Sequence, residues 1–358
     1  MKINPIAFKE DAASQAKQEI PRANGRALAV LGVLIVLLFS LVSRNFYIEM
    51  LKPVNMSPVP AITVSIPASA SANKIASILE QHDLIRNKAV FLLYLRFSGQ
   101  DTQLKAGEYA LSQSDSVQRI VEIIVSGQVV TYPFTIPEGF TLKQIAATLA
   151  EKGFIDQEKF LAVAANASFD YWFLEGVPKG SARLEGFLFP DTYRIPRGFT
   201  EKQIIDLMLK RFEQVFSEEY RHIAEGAGMT VLEVVTLASI IEKETKLDEE
   251  RPVVSGVFHN RLAENWRLES CATIQYLLGE PKERLTLKDL AIDSKYNTYK
   301  NLGLPPGPIA SPGKASIVAA LNPADVDYMF FLVKQDGTHA FAQTLAEHNR
   351  NKKKYLGR

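Results

Sequence analysis

Residues 132–153 read YPFTIPEGFTLKQIAATLAEKG, and this stretch decides the fold. Its first five residues form a β-rich run, and Pro137 closes it because proline cannot donate to a strand ladder. Ile145, Ala146 and Leu149 then recur at helical spacing, followed by the apolar pair Phe154 and Ile155. The same pattern stands 70 residues earlier. There ITVSI (62–66) is closed by Pro67, a helix carries Ile75, Ala76 and Leu79, and Leu84 and Ile85 follow. Further on, the run 107–111 (GEYAL) precedes a helix with Ile120, and 191–195 (DTYRI) precedes a helix with Ile204. In both places a tyrosine stands 11 residues before the isoleucine. The expectation is two strand–helix–helix–strand–helix units, at 62–127 and 132–212. Two copies are too few for a solenoid, so a duplicated α+β module is predicted.

Toward the N-terminus, 50–60 (MLKPVNMSPVP) holds three prolines and little periodicity, and residues 48–61 read as a stalk. Before it, 27–43 is an uncharged stretch bracketed by Arg26 and Arg44, with Phe46 and Tyr47 just beyond. Seventeen residues make about 25 Å of helix, near the lower limit for a membrane span. Snorkelling arginines and interfacial aromatics extend it, so a single transmembrane helix is predicted at 27–47. Residues 1–26 carry Lys2, Lys9, Lys17, Arg22 and Arg26 against three acids, which predicts a cytoplasmic N-terminus. A cleaved signal peptide is the rival reading, but its n-region would be unusually long. The Ala-x-Ala site at 70–72 also lies far past the apolar run.

Toward the C-terminus the pattern changes. A helix is expected at 229–246, with Thr230 and Glu233 as a capping box and Val231, Val234, Val235, Ala238 and Ile241 at helical spacing. A weaker helix at 252–263, a loop-rich stretch, a helix at 316–321, a strand at 328–333 and a short final helix complete a mixed α/β region, 213–358. Hydrophobic residues make up 47% of the chain, enough for sizeable cores, and the net charge is +1. That balance argues against a nucleic-acid partner. The single cysteine, Cys271, excludes an intramolecular disulfide framework and a cysteine metal site. His339 and His348 have no partner at metal-ligand spacing, and no HExxH, CxxC, phosphate-binding glycine loop or GxSxG elbow occurs. No cofactor and no metal are expected.

Three features carry candidate chemistry. Glu242 and Glu244 lie near the end of an otherwise apolar helix, where burial would raise a carboxyl toward general-acid duty. A helical wheel does not choose between them, and an ordinary charged helix end is the alternative. The run 296–299 (YNTY), followed by GLPPGPI (303–309), is a rigid loop with polar aromatics suited to stacking on sugars, or else a structural crossing. The run 184–193 (LEGFLFPDTY) holds aromatics that line a groove or pack a junction.

Taken together, these pieces resemble the endolytic murein transglycosylases, the MltG/YceG-like family. The residues that carry the resemblance are LASIIEKET (237–245), EGFLFPDTY (185–193), YNTY (296–299), GLPPGPIASPG (303–313) and HAFAQTLAEHN (339–349). The strand–helix–helix–strand plan, and IPEGFTLKQIAATLAEKG above all, also resembles the LysM carbohydrate-binding module; a scaffold without ligand is the alternative. The family resemblance implies a lyase of the bacterial plasma (inner) membrane with its catalytic region periplasmic or extracytoplasmic. It would cut nascent glycan strands between N-acetylmuramic acid and N-acetylglucosamine, leave 1,6-anhydro ends and so end strand elongation. Peptidoglycan is then the partner, and peptidoglycan synthases are further candidates. The resemblance puts the single acid–base group at Glu244, with Thr245, Tyr296, Asn297 and Glu185 as glycan-positioning candidates. One departure stands at 268–272 (LESCA), where many relatives carry Leu-Gln and an Asp-Pro pair. The alternative function is a non-catalytic peptidoglycan-binding membrane protein that positions wall-synthesis enzymes.

Overall fold

The computed structural model describes residues 25–280 and 282–357; the basic segment expected to be cytoplasmic, 1–26, lies almost wholly outside them. The chain forms two compact units, 1–129 and 130–358. The first opens with α1 (Gly25–Leu51). Its side chains from Leu28 to Val42 are exposed, although the stretch is almost entirely apolar. Among the described residues α1 is the one continuous helix long and apolar enough to cross a membrane, over Leu28–Leu51. Its last turn belongs to the unit's core, where Leu51 is buried and Tyr47 and Met50 pack alongside.

The remainder of the first unit is β1 (Ile62–Ile66), α2 (Ala72–Gln81), α3 (Lys88–Ser98), β2 (Gly107–Leu111) and α4 (Val117–Ser126). β1 and β2 pair antiparallel, Ile62 opposite Leu111 and Ile66 opposite Gly107. Alternation turns Val64, Ile66, Tyr109 and Leu111 inward onto Ile75, Leu79, Phe91 and Ile120. Residues 52–60 run along this unit rather than away from it. Arg86 donates to the Pro53 carbonyl at 2.7 Å, Asn55 N–H to Gln113 at 2.9 Å, and the Ser112 hydroxyl to the Val59 carbonyl at 2.6 Å.

The second unit starts with the same order of elements: β3 (Tyr132–Thr135), α5 (Leu142–Glu151), α6 (Gln157–Asn166), β4 (Thr192–Ile195) and α7 (Glu201–Val215). β3 and β4 also pair antiparallel, with Phe134 opposite Tyr193. The likeness extends to single side chains. The buried Tyr109 donates its hydroxyl to the carbonyl four residues before it, Lys105, at 2.8 Å; Tyr193 does the same to Phe189 at 2.6 Å. Ser71 and Thr141 cap α2 and α5, and Ser116 and Thr200 cap α4 and α7.

From α7 the second unit continues through α8 (Glu218–Gly226), α9 (Val231–Glu244), α10 (Arg251–Ala263), α11 (Cys271–Leu278), α12 (Leu287–Leu290), α13 (Lys314–Leu321), the antiparallel hairpin β5 (Phe330–Val333) and β6 (His339–Ala342), and α14 (Leu345–Leu356). α9 is the buried axis, with its residues from Val234 to Ile241 all inside. One apolar core runs from Phe134 in β3 through α9 to Leu321 in α13. The aromatics of 184–193 belong to that core: Phe187 lies 5.7 Å from Phe173 and 5.4 Å from Phe212, ring centre to ring centre. The overall class is mixed α+β. α8, α11, α12 and β6 are additions to the sequence expectation. α11 stands inside the stretch expected to be loop-rich, because eight residues are too few to show a helical period clearly.

Candidate active site

α9 begins at the predicted capping box, Thr230 with Glu233, and ends at Glu244; Thr245 leaves the helix with φ −131°. The three last side chains diverge. Glu242 turns back into protein, its side chain 7% exposed. Its Oε2 accepts from the Gly313 N–H at 3.0 Å and the Ser316 hydroxyl at 2.8 Å, and lies 3.4 Å from the Arg251 guanidinium. It therefore holds the start of α13, where helical N–H groups have no carbonyl of their own. Lys243 donates to the Gly139 carbonyl at 3.2 Å. Glu244 is half-buried and points toward the start of α11. Its Oε1 accepts a short hydrogen bond from the Ser270 hydroxyl and a longer one, 3.4 Å, from the Ala272 N–H. Although the residue keeps some solvent exposure, its carboxyl is enclosed by protein. That loss of hydration pushes its pKa above the usual carboxylate range, against the pull of Ser270, Ala272 and nearby His339.

The 296–299 loop reaches Glu244 through one intermediary. The Thr298 hydroxyl accepts from Ser270 N–H at 3.0 Å and meets the Thr273 hydroxyl at 2.9 Å, while the Thr298 carbonyl accepts from Glu269 N–H at 3.2 Å. The Tyr299 hydroxyl lies 3.0 Å from Cys271 Sγ. Burial raises the pKa of both the Tyr299 phenol and the Cys271 thiol. Thus the end of α9, the start of α11 and this loop form one constellation around the Glu244 carboxyl.

The other expected site residues fall in different places. Asn297 is fully buried; its amide donates to the Leu290 and Ile292 carbonyls at 3.0 and 2.7 Å, and its oxygen accepts from Tyr299 N–H at 2.9 Å. It shapes the loop from inside. Thr245 is buried too, with its hydroxyl engaged by the Leu247 backbone. Tyr296 is half-buried, its ring 5.2 Å from that of Tyr276, on the wall of a 280 Å³ cleft that also touches Lys179, Arg183 and Pro308. Glu185 is 4% exposed and caps α5, accepting from Leu142 N–H at 2.8 Å and from the Tyr276 hydroxyl at 3.3 Å. Burial pushes its carboxyl up to about 7 despite those bonds. Among the described hydrogen bonds none joins Glu185 to Glu244.

Three groups near α9 were not among the site residues expected from the sequence. Ser270 is an ordinary serine in a stretch expected to be loop. His339 gives Nδ1 to Glu250 at 2.6 Å, and its buried Nε2 has no hydrogen-bond partner. Glu138, in the turn after β3, packs its carboxyl where a Cβ on Gly313 would stand. The turn is tied to that strand of chain by Gly139 N–H to Ser311 and Ser311 N–H to Phe140, each 2.8 Å. Burial and the neighbouring Glu242 hold Glu138 above the usual carboxylate range.

The YceG-like family matches residues 64–354. The chain belongs to that family. Among its relatives, the endolytic murein transglycosylase of Bacillus subtilis (strain 168) is 34% identical over 320 residues, covering 86% of this chain and 88% of that protein. The endolytic murein transglycosylase of Streptococcus pneumoniae serotype 2 is 33% identical over 335 residues; the match covers 86% of this chain and 60% of the longer pneumococcal protein. The crystal structure of a yceG-like protein from Listeria monocytogenes is similar with a TM-score of 0.55 and 37% identity, over 82% of this chain and 99% of that one. The enclosed carboxyl at the end of α9 therefore stands in a fold shared with proteins named for cutting murein.

Proposed function

We propose that this chain is a membrane-anchored endolytic lytic transglycosylase with Glu244 as its single acid–base group. It cleaves peptidoglycan glycan strands between N-acetylmuramic acid and N-acetylglucosamine and leaves 1,6-anhydro ends. One observation carries the assignment: of the two carboxyls at the end of α9, Glu242 is ion-paired with Arg251 and bound to α13, whereas Glu244 has no ion pair among the described residues and takes only the Ser270 hydroxyl and the Ala272 N–H. Its raised pKa favours the neutral form that a general acid needs at the start. Glu244 gives its proton to the glycosidic oxygen as the bond to muramyl C1 breaks, and the electron pair leaves with that oxygen. The C6 hydroxyl of the same muramyl sugar attacks C1 and returns its proton to Glu244. No water is consumed. Most glycosidases need two carboxylates; here the substrate's own hydroxyl replaces the second.

The exposed apolar surface of α1 supports the anchor, and the basic residues before it support a cytoplasmic N-terminus with the chain after α1 beyond the plasma membrane. The repeated β–α–α–β order supports a LysM-like role of these units in holding glycan, and an outer-face location fits contact with peptidoglycan synthases. Tyr296 is the aromatic that a sugar would meet at the cleft. Asn297, Thr245 and Glu185 act behind it by fixing loop and helix ends. The relatives' names favour the enzyme over the non-catalytic wall-binding reading. The test is to incubate the full chain in detergent with purified glycan strands and follow shortening and anhydromuramyl ends by mass spectrometry. Such ends should form with the wild type and vanish with Glu244→Gln; strands that stay intact with wild type, or ends that persist with the variant, overturn the assignment.

A further inference from the structure

We propose that Ser270 is the positioning residue of this site: with the Ala272 N–H it claims Oε1 of Glu244, so that Oε2 is the oxygen that gives and takes the proton. The inference rests on the assignment of Glu244 above and divides the work of its two oxygens.

Both described donors to the carboxyl converge on the same atom, Oε1. An oxygen that accepts two hydrogen bonds is a poor place for a proton, because the proton would displace a donor. The proton of the neutral acid therefore belongs on Oε2. The same two bonds stop the carboxyl from rotating, so the proton has one direction in which to leave.

Ser270 is itself held. Its N–H donates to the Thr298 hydroxyl, its carbonyl accepts from the Thr273 hydroxyl at 2.8 Å, and the residue is 3% exposed. Glu269, just before it, sits at φ +49°, a left-handed conformation uncommon for a residue with a side chain. Its N–H bonds the Thr298 carbonyl and its carboxylate lies 3.4 Å from Arg261. Both contacts keep the turn that aims the Ser270 hydroxyl. The titratable groups facing Glu244 are Cys271 on α11, Tyr299 on the loop and His339 on β6. Cys271 and Tyr299 are bonded to each other and His339 to Glu250, and no described hydrogen bond runs from any of them to the Glu244 carboxyl. Ser270 is thus the only side chain among the described residues that donates to it.

A donor to the charged form lowers a carboxyl pKa, so removing it raises the pKa. The reaction needs the protonated acid, and its rate falls as pH rises through that pKa. In Ser270→Ala the alkaline limb of the pH–rate profile should therefore move upward by about one unit, the worth of one hydrogen bond to a charged group. The kcat should fall roughly tenfold to a hundredfold with little change in KM, because a carboxyl free to rotate loses its aim. Ser270→Thr keeps a hydroxyl and should bring the limb back. Ala272→Pro removes the other donor at a first-turn position where proline is tolerated, and should move the limb the same way by less. It carries the test if Ser270→Ala does not fold. The readout is anhydromuramyl ends formed by the full chain over a pH series wide enough to show both limbs of the wild-type profile. A limb that stays in place in both Ser270→Ala and Ala272→Pro, or one that Ser270→Thr does not restore, overturns the proposal. Absence of such ends with the wild type instead overturns the assignment of Glu244 on which it rests.

Discussion

The two β–α–α–β–α segments follow one plan and serve the molecule differently. In the first, residues 99–106 join α3 to β2, and a compact core closes under a single pair of strands. In the second, residues 167–191 replace that short link and bring Glu185, Gly186 and Phe187 against α5, α9 and the proline-rich loop. The turn after the first strand also diverges. At 67–71 it does little beyond starting α2 through Ser71. At 137–141 it presents Glu138 to Gly313, bonds Ser311 and receives Lys243 beside the catalytic candidate. Apolar period and caps set the shared plan. Both of these differences put residues against α9, Gly139 at Lys243 and Gly186 at Val235.

The contrast can be broken at several points. The largest expected effect is on rate. Glu244→Gln should cost on the order of 10²–10⁴-fold in strand cleavage, the usual worth of a general acid–base group, while thermal unfolding changes little. Next are two glycines of positive φ, one in each segment. Gly186 has φ +82°, and a Cβ there would come within 2.5 Å of Pro308 and 2.9 Å of Val235. Gly186→Ala should destabilise the second unit by about 3 kcal/mol or more, from strain and overpacking together. Gly99, which ends α3 in the first unit, has φ +66° and open space around it, so Gly99→Ala should cost only about 1–2 kcal/mol. Denaturant titration of each variant reads the difference.

The third effect depends on pH. Glu185 has a carboxyl raised from 4.5 to about 7 in the folded state. Between those values the folded chain binds more protons than the unfolded one. The Glu185 contribution to stability should therefore be fully present below about pH 4.5 and be lost as pH rises through 7, by up to ~3 kcal/mol. Glu185→Gln should flatten this slope in unfolding measured from pH 4.5 to 8, since it stays neutral and still accepts from Leu142. The smallest effect is Gly313→Ala. Its backbone is ordinary for any residue, and the Cβ would displace only the flexible Glu138 side chain. A loss of about 1 kcal/mol is expected, with a few-fold fall in cleavage if Glu138 lines the glycan path.

Much of the secondary structure was legible without coordinates. The repeat and its tyrosines, the capping box of α9, the exposed apolar helix α1 and the hairpin's first strand all appear where periodicity and caps point. α11 was hidden because Ser270 makes no side-chain cap and only eight residues follow it. β6 was hidden because four residues, HAFA, hold too little alternation to stand out before they pair with β5.

The site divides along the same line. Sequence alone determined that two acids end an apolar helix, that 296–299 is a stiff polar-aromatic loop, and that one long apolar helix stands near the N-terminus. Those are statements about residues within a turn or two of one another, where propensity, period and capping act. The family resemblance already favoured Glu244, but the physical difference between Glu242 and Glu244 came only from the tertiary structure. The groups that bind Glu242 come from Gly313, Ser316 and Arg251, and the donors to Glu244 come from Ala272 and from Ser270, which Thr298 holds in turn. A carboxyl's pKa and orientation depend on what desolvates it and what donates to it, and here those partners come from other elements.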